Sequence, residues 1–380
     1  MVNNKTGDIV LACVSLAQSP LMILQLFITG TGIVTEDMAS LLRLLCSALL
    51  GGLSFVYLIR RNFFLLLVAY LSSFSVLTYY LLFFEATEPF ILDGALKFTL
   101  PISLPTVLSL FCIKDYNLFK RVLYQFSRII CVIGILYGIL NVTGLLAVTS
   151  FYSMSYSYAL LLPIMLLVIS KSIIDKILVF FSFILIFIMG SRGPLGIILA
   201  FIILYIFIVG NLKMRIILLM CFITILLLVP YFLKLIEAFD IQSRTLILLM
   251  DGALDSDSGR SDIYNIIWEK IAENPFWGYG IGADRTFLDG AYVHNIILEF
   301  WIDFGLFIGS FFLFLLFFKT WNVFRLSSIK YDKLLVLIVF LAGFVPLLFS
   351  GSYLIFFNFS FLIGFLLLAS KSQRIVCKLM

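Results

Sequence analysis

Apolar residues in this chain gather in long runs that are separated by short polar connections. Most of the runs approach the roughly 20 residues that a helix needs to cross a bilayer, so the pattern predicts an all-α, polytopic membrane protein with about twelve transmembrane helices. The twelve runs fall at residues 9–28, 37–59, 62–84, 94–113, 122–146, 156–170, 175–190, 194–210, 214–233, 293–318, 333–350 and 352–370.

Three regions follow from this spacing. Residues 1–233 are predicted to hold transmembrane helices 1–9, residues 234–292 one long loop, and residues 293–380 helices 10–12 with a basic tail. The first run has no small-residue cleavage site, so we expect it to be retained as a span.

The composition agrees with a membrane protein. Hydrophobic residues make up 63% of the chain and charged residues 12%, with a mean hydropathy of +1.16, whereas a soluble domain is roughly half apolar and a quarter charged. The lipid bilayer is therefore an expected partner. The six cysteines form no CxxC pair, and we expect them to be packing residues, with neither a disulfide framework nor a zinc site.

Positive charge is distributed unevenly between the connections. With a cytoplasmic N-terminus, seventeen of the 26 lysines and arginines fall in inner segments, and only Arg192 falls in the short outer loops. Cytoplasmic loops carry the excess of these residues, so we expect both termini in the cytoplasm and the long loop outside. A bacterial outer compartment holds no ATP or nucleotide sugars, and chemistry there must use a substrate that was activated beforehand.

One candidate anion-binding residue stands in a tight turn. Arg192 lies in "IMGSRGPLG", residues 188–196, where glycines and a proline break the helix between two spans. A guanidinium matches a phosphate group with two parallel hydrogen bonds, which favours an anion clamp. An arginine that snorkels at the interface is an equally good interpretation of the spacing alone.

The long loop has a predicted helix of its own. Ser261 or Asp262 can cap a helix in which isoleucines line one face, namely Ile263, Ile266, Ile267 and Ile271, and which stops at Asn274-Pro275. Such an amphipathic helix would lie on the membrane or over a cavity. Arg260 precedes its N-terminus, where free N–H groups favour an anion. A solvated loop arginine is the commoner role for a lone residue of this kind.

Two short motifs in the same loop invite other interpretations. The glycines of "GYGIG", residues 278–282, lack the strand–turn–helix setting of a nucleotide site, so we expect a turn whose backbone packs closely against helices or a sugar. The acidic "DSD", residues 255–257, resembles the metal-binding pair of nucleotide-sugar transferases, but an acidic solvated loop is a more common role for three such residues.

The only histidine of the chain stands at the mouth of an apolar run. His294 is expected to open a helix, where the helix dipole disfavours imidazolium and keeps the ring able to accept a proton. Glu299 and Asp303 share a face deeper in that helix and should point to the protein interior or a water-filled cavity. Taken alone, His294 would more often be a hydrogen-bonded structural residue than a base.

Three of these stretches together resemble the O-antigen polymerase and O-antigen ligase superfamily, bacterial membrane glycosyltransferases that act on undecaprenyl-diphosphate-linked glycans. They are "GSRGPLG", "GRSDIYNIIWEKIAENPFWGYGIG" and "HNIILEFWIDFGLFIGSFFLF", and they cover about a third of the chain. "SMSYSYALLLP", residues 153–163, is similar to capsule and exopolysaccharide polymerases and favours the polymerase branch.

The resemblance carries expectations about fold, partners and site. It implies a GT-C-like architecture, an inverting transfer with no metal or other cofactor, and an outer-facing site in the bacterial cytoplasmic membrane. Arg192 and Arg260 match the arginines thought to hold the lipid diphosphate, and His294 matches the histidine that acts near the acceptor. Glu299, Arg285 and Asn295 are expected to support the site. A flippase and a chain-length regulator become candidate protein partners, and nucleic acid does not.

Two other functions stay open at this point. A ligase would use the same donor and transfer the glycan to lipid A-core, and nothing in the sequence names the acceptor. A lipid-linked oligosaccharide flippase would also suit twelve spans, but transporters usually bind substrate at the bilayer midplane, whereas the unusual residues here gather at one face. A membrane scaffold would leave Arg192, Arg260 and His294 unexplained.

Overall fold

The computed structural model describes residues 4–84, 88–146, 150–189, 191–213, 215–216, 220 and 260–379. Most of the predicted ninth span and the loop up to residue 259, with its acidic stretch, lie outside these residues. The described part is helical and has no strand, so the prediction of an all-α protein is confirmed.

The described residues form fourteen α-helices, one π-helix and one 3-10 helix. In chain order they are α1 (Asn4–Leu16), α2 (Gln18–Gly30), α3 (Glu36–Phe83), α4 (Glu88–Gly94), the π-helix (Ala95–Ser103), α5 (Leu104–Cys112), α6 (Tyr116–Val142), α7 (Ser150–Val168), α8 (Ile173–Ile188), α9 (Arg192–Val209), α10 (Arg260–Glu273), α11 (Ala283–Phe287), α12 (Ile296–Leu326), α13 (Lys330–Gly343), the 3-10 helix (Val345–Leu348) and α14 (Phe357–Leu379).

Six helical stretches of the described chain are long and apolar enough to cross a membrane. A seventh is added if α1 and α2, which are bent by 48° at their junction, form one broken span. The chain is thus a multi-pass membrane protein by length and composition, and the predicted total of twelve spans stays a prediction.

The length of helix α3 explains part of the difference between the twelve predicted spans and the six or seven candidate spans of the described residues. Its 48 residues would measure about 72 Å as a straight helix, more than twice the thickness of a hydrocarbon core of about 30 Å. Asn62 interrupts it with non-helical angles, φ −161° and ψ 75°. The interruption falls where the sequence predicted a boundary between spans 37–59 and 62–84, beside two arginines.

The chain divides into two compact units, which are described separately. The first comprises residues 1–21, 40–126 and 257–380, and the second residues 22–39 and 127–256. In the second unit α7 packs against α8 and α9, and Arg128 forms an ion pair with the buried Asp175 at 2.6 Å. In the first unit α5 packs against α1 and α14, and α12 contacts α10, α13 and α14.

Charged side chains fasten one end of the first unit. The buried Asp8 on α1 pairs with Arg61 on α3 and accepts the backbone N–H groups of Lys114 and Asp115 at 3.1 and 3.0 Å. Arg61 also donates to the carbonyl of Cys112 at 2.7 Å. A buried charge needs such partners to offset its desolvation, so the start of α1 is fixed to the connection between α5 and α6.

The helix α12 is broken at Gly305. This glycine has φ 76° and ψ 166°, in a region that favours glycine because it has no Cβ. The break frees the carbonyls of Ile302 and Asp303, which accept the N–H groups of Tyr279 and Gly280 at 2.8 and 3.0 Å. The glycine-rich turn therefore completes the hydrogen bonds that α12 lacks.

The turn and the break also require each other sterically. A Cβ on Gly278 would lie 2.6 Å from both the carbonyl oxygen of Asp303 and the backbone nitrogen of Gly305, and one on Gly305 would meet the backbone of Phe276. This confirms the prediction that the backbone of residues 278–282 packs closely against a helix.

The helix α10 is the predicted amphipathic helix of the long loop. It ends at Glu273, before the predicted Asn274-Pro275 stop. Ile267 and Ile271 are buried in a core with Val293 and Ile302. Ile263, Ile267 and Ile271 are spaced by four residues and share the packed face of the helix. Ile266 falls beside this face and is 42% exposed, so the prediction was wrong for this residue.

Candidate functional site

The start of α12 places the histidine outside the helix. The side chain of Asn295 accepts the N–H groups of Ile297 and Leu298 at 3.0 and 3.4 Å, which makes Asn295 the N-cap. His294 precedes this cap and has φ 57°. The prediction that His294 itself opens the helix was therefore wrong, because asparagine is one of the strongest capping residues and takes that position.

The left-handed backbone of His294 is a local peculiarity. Non-glycine residues rarely adopt positive φ values, although histidine does so more often than most. Such conformations persist only where the surroundings impose them, and they concentrate at functional sites. The positive φ belongs to the residues that precede α12, where the ring of His294 lies beside that of Tyr292.

Two acidic side chains of α12 point inward, as the sequence predicted. Glu299 and Asp303 are 0% and 1% exposed, and they are four residues apart on one helix face. Asp303 accepts the N–H of Ala283 at 3.2 Å. Nearby, on α11, Asp284 is also fully buried, and its carboxylate accepts the N–H of Val293 at 3.0 Å.

A single guanidinium lies among these carboxylates. Arg285 donates to Asp284 at 2.8 Å, lies 3.6 Å from Glu299 and donates to Ser352 at 2.7 Å. The neighbouring carboxylates raise the pKa of Arg285 above its ordinary value, although burial acts in the opposite direction. The guanidinium of Arg285 is thus held by acceptors of the protein itself, and its supporting role in the site stays a prediction.

The segment before α14 supplies the remaining donors. Ser352 donates its hydroxyl to Glu299, and the N–H of Tyr353 donates to the other oxygen of that carboxylate at 3.1 Å. The phenol of Tyr353 donates to Asp303 at 2.6 Å. One arginine balances only one of three carboxylates, so these neutral donors are needed to stabilise the buried cluster.

Sequence reasoning missed three members of this cluster: Asp284, Ser352 and Tyr353. Asp284 stands beside Arg285 in a loop, and an adjacent acid–base pair is common on a solvated surface. Ser352 and Tyr353 are 53 and 50 positions from the carboxylates to which their hydroxyl groups donate. The only available signal was the buried pair Glu299 and Asp303, which requires donors from another segment.

The environment of His294 differs from that of the cluster. Its ring lies 4.2 Å from the ring of Tyr292, measured between centroids, and the hydroxyl of Tyr292 donates to the carbonyl of Ser350 at 3.4 Å. Its Nδ1 atom is buried and has no hydrogen-bond partner among the described residues. Buried polar atoms without a partner are uncommon, so this nitrogen has an unused capacity to accept a proton.

Two effects keep this ring neutral. Burial lowers the pKa of His294 below its ordinary value of about 6.5, and the positive charge of Arg260 lowers it further. The Ser350 backbone and the negative charge of Asp284 act in the opposite direction without cancelling them. The ring is therefore uncharged at neutral pH. The sequence analysis predicted a neutral ring because of a helix dipole, whereas burial is the main cause in the structure.

The two other predicted site residues stand at helix starts. Arg260 is the first residue of α10 and is half-buried, and its charge acts on His294 and Tyr292. Arg192 is the exposed first residue of α9 in the second unit, and Ser191 before it makes no side-chain cap. Among the described residues, neither arginine forms an ion pair with a carboxylate. The structure thus brings Arg260 and His294 together within one unit, and Arg192 belongs to the other.

An apolar cavity adjoins the buried cluster. Its volume is about 430 Å³, and its walls come from α3, α4, the π-helix, α5, the glycine-rich turn and the region of α14. Tyr353 lines it and also donates to Asp303, so this residue separates the cavity from the carboxylates. Within the described residues, no group of three or more potential ligands is placed to hold a metal ion.

These features define a multi-pass helical membrane protein with a loop-borne histidine and arginine beside a buried charged cluster. A family model described as "O-Antigen ligase" matches residues 177–314, about a third of the chain. The match confirms the assignment to the O-antigen polymerase and ligase superfamily over that segment, which contains Arg192, Arg260 and His294. No curated protein and no solved structure matches the chain. The match supports an enzyme of the membrane glycosyltransferase type.

Proposed function

We propose that this protein polymerises undecaprenyl-diphosphate-linked oligosaccharide repeat units into O-antigen, capsular or exopolysaccharide at the outer face of the bacterial cytoplasmic membrane. One observation carries the proposal. His294 is neutral and its Nδ1 has no described hydrogen-bond partner, and it lies within the electrostatic influence of Arg260, which forms no ion pair with a described carboxylate. The first can accept a proton and the second can bind an anion.

The reaction is an inverting glycosyl transfer. A hydroxyl of the acceptor sugar attacks the anomeric carbon of the donor, the new C–O bond forms as the bond to the diphosphate breaks, and the diphosphate leaves with the electron pair. The hydroxyl proton passes to Nδ1 of His294. A general base of this kind typically contributes about 10²–10⁴-fold to the rate. The mechanism needs no metal or other cofactor.

Arg260 and Arg192 are the proposed diphosphate ligands. Negative charge grows on the leaving diphosphate as its bond breaks, so fixed guanidinium groups stabilise the transition state more than the ground state. Both residues start helices whose free N–H groups already favour an anion. The apolar cavity beside Tyr353 suits the hydrocarbon part of a lipid-linked substrate, since its polar wall area is small.

The proposed orientation places both termini in the cytoplasm and the site outside. Its support within the first unit is that residues predicted to be cytoplasmic meet each other. Lys120 pairs with Asp332 at 2.9 Å, and Lys371 donates to the carbonyl of Phe111 at 3.2 Å. Ser350 and Tyr292, both predicted near the outer surface, also meet through a hydrogen bond of 3.4 Å. A flippase and a chain-length regulator are candidate protein partners of the proposed polymerase.

A ligase is the second candidate function. The description of the matching family model favours it, and the same donor and base would serve a transfer to lipid A-core. The polymerase is preferred here because of the similarity of residues 153–163, which lie in α7, to capsule and exopolysaccharide polymerases.

The two functions are separated by their products. The purified, reconstituted protein given only lipid-linked repeat units should form a ladder of lipid-linked chains that lengthen by one repeat unit per transfer, as resolved by electrophoresis. Transfer of the glycan to added lipid A-core without a ladder would identify a ligase. Movement of the substrate across the bilayer without any transfer would identify a transporter and overturn the proposal.

Replacement of the histidine tests the base. In the same assay with chelator present, His294→Ala should lose about 10²-fold or more in rate. The wild-type rate should be constant at neutral pH and should fall only as the pH drops through the lowered pKa of His294, because imidazolium cannot accept a proton. Glu299→Gln should cost less. An active His294→Ala with an inactive Glu299→Gln would move the base role to the carboxylate.

Charge-conserving replacement tests the arginines. Arg192→Lys and Arg260→Lys keep one positive charge but lose the planar fork that fits a diphosphate, so each should reduce turnover markedly while the amount of membrane-inserted protein stays constant. Arg325→Lys, at an exposed position in the last turn of α12, is the matched control and should be as active as the wild type. Full activity after replacement by alanine would remove that arginine from the site.

Accessibility of introduced cysteines tests the orientation. Glu269 on α10 and Ser328 after α12 are both exposed, and they are predicted on opposite sides of the membrane. In intact cells with a permeable outer layer, an impermeant thiol reagent should label Glu269→Cys and leave Ser328→Cys unlabelled, above the background of the parent chain. The reverse pattern would place the site in the cytoplasm and contradict the proposed chemistry.

A further inference from the structure

The segment between the 3-10 helix and α14, residues 349–356, contains no helix, yet it reaches the surroundings of the histidine. The carbonyl of Ser350 accepts the Tyr292 hydroxyl at 3.4 Å, and the ring of Tyr292 lies 4.2 Å from the ring of His294. A connection without regular structure needs other contacts to hold its backbone in place.

The N–H of Ser350 donates to the carbonyl of Pro346 at 2.9 Å, and the side-chain contacts come from Ser352 and Tyr353. Ser352 is 0% exposed and lies between Arg285 and Glu299, accepting from the first and donating to the second. Tyr353 donates its phenol to Asp303 at 2.6 Å and its N–H to Glu299 at 3.1 Å. Both carboxylates stand on the same face of α12, one helical turn apart.

We propose that Ser352 and Tyr353 are positioning residues for His294: anchored on Glu299 and Asp303, they hold the backbone of Ser350 beside Tyr292, whose ring packs against the imidazole ring. Neither residue lies in the segment that the family model matches, residues 177–314. The proposal deepens the proposed function, since it concerns the same base, but it concerns the geometry of His294 whether or not the protein is a polymerase.

The role has a physical signature in the pKa of His294. The Ser350 backbone favours the protonated ring and so raises the pKa of His294, against the effects of burial and of Arg260. If the segment loses its anchors, this opposing contribution weakens and the pKa of His294 should fall further. The charged and titratable groups that act on the ring are Arg260 of α10, Asp284 of α11 and the adjacent Tyr292, and the test leaves all of them unchanged.

The chain offers a clean measurement because His294 is its only histidine. With ¹⁵N-histidine labelling of the detergent-purified protein, a single imidazole titrates and no substrate is needed. Ser352→Ala and Tyr353→Phe should each shift this titration to lower pH. In the transfer assay the acid limb of the rate profile should shift in the same direction, and the rate at neutral pH should fall by about 10-fold to 10²-fold, the cost of a base displaced by up to about 1 Å.

Two matched controls remove buried hydroxyl groups elsewhere. Ser54 is 0% exposed and donates to the carbonyl of Gly51 at 2.7 Å, and Tyr156 is 0% exposed and donates to the carbonyl of Gly134 at 3.0 Å. Ser54→Ala and Tyr156→Phe should leave the His294 titration at its wild-type position. A general loss of stability would affect the amount of folded protein in all four variants without moving this titration.

The result that overturns the proposal is an unchanged His294 titration in folded Tyr353→Phe. This variant removes one oxygen atom and keeps the ring and the backbone bond to Glu299, so it decides the question if Ser352→Ala does not fold. An unchanged titration together with ladder formation would reject the positioning role and retain the polymerase. A shifted titration without any glycosyl transfer would retain the positioning role and reject the polymerase.

Discussion

Backbone N–H and carbonyl groups must find partners inside a membrane protein, because hydrocarbon offers none. The break of α12 at Gly305 violates this requirement locally, and the turn of residues 278–282 satisfies it through the carbonyls of Ile302 and Asp303. These hydrogen bonds hold the turn against the broken helix. The short helix α11, which carries Asp284 and Arg285, follows the turn directly. The 21 residues of α12 after the break measure about 31 Å, enough to cross the core, so the acidic residues precede the part of the helix that suffices as a span.

The position of the carboxylates then explains why the cluster is so densely hydrogen-bonded. Breaking a buried ion pair by removal of one partner leaves an uncompensated charge and is strongly destabilising. Arg285, Ser352, Tyr353 and backbone N–H groups therefore converge on Glu299 and Asp303. The free-energy cost of burying these acids is offset by hydrogen bonds. Several of these bonds join two distant parts of the chain, residues 283–303 and residues 350–354.

The sequence predicted those features that depend on local periodicity or on burial. Ile267 and Ile271 repeat at helical spacing, and the inward direction of Glu299 and Asp303 follows from the cost of exposing them to lipid. Features that depend on contacts distant in sequence were not predictable. The N-cap at Asn295 competes with a helix start at His294 over a single residue, and Ser352 and Tyr353 lie 53 and 50 residues from the acids to which their hydroxyl groups donate. By contrast, the boundary at Asn62 was predictable, because Arg60 and Arg61 interrupt the apolar run just before it.

The charged residues of the site fall into two groups with different physical roles. In the cluster, the hydrogen-bonding capacity of Arg285 and the carboxylates is met by the protein, so these groups have little capacity left for a substrate, and their replacement acts through structure. Nδ1 of His294 accepts no described hydrogen bond, and Arg260 pairs with no described carboxylate. A site that binds an anionic donor and removes a proton needs groups that are free to form hydrogen bonds or ion pairs with the substrate. It also needs these groups to be held in a fixed geometry. In the proposed reaction the buried cluster provides the rigidity, and His294 and Arg260 provide the chemistry.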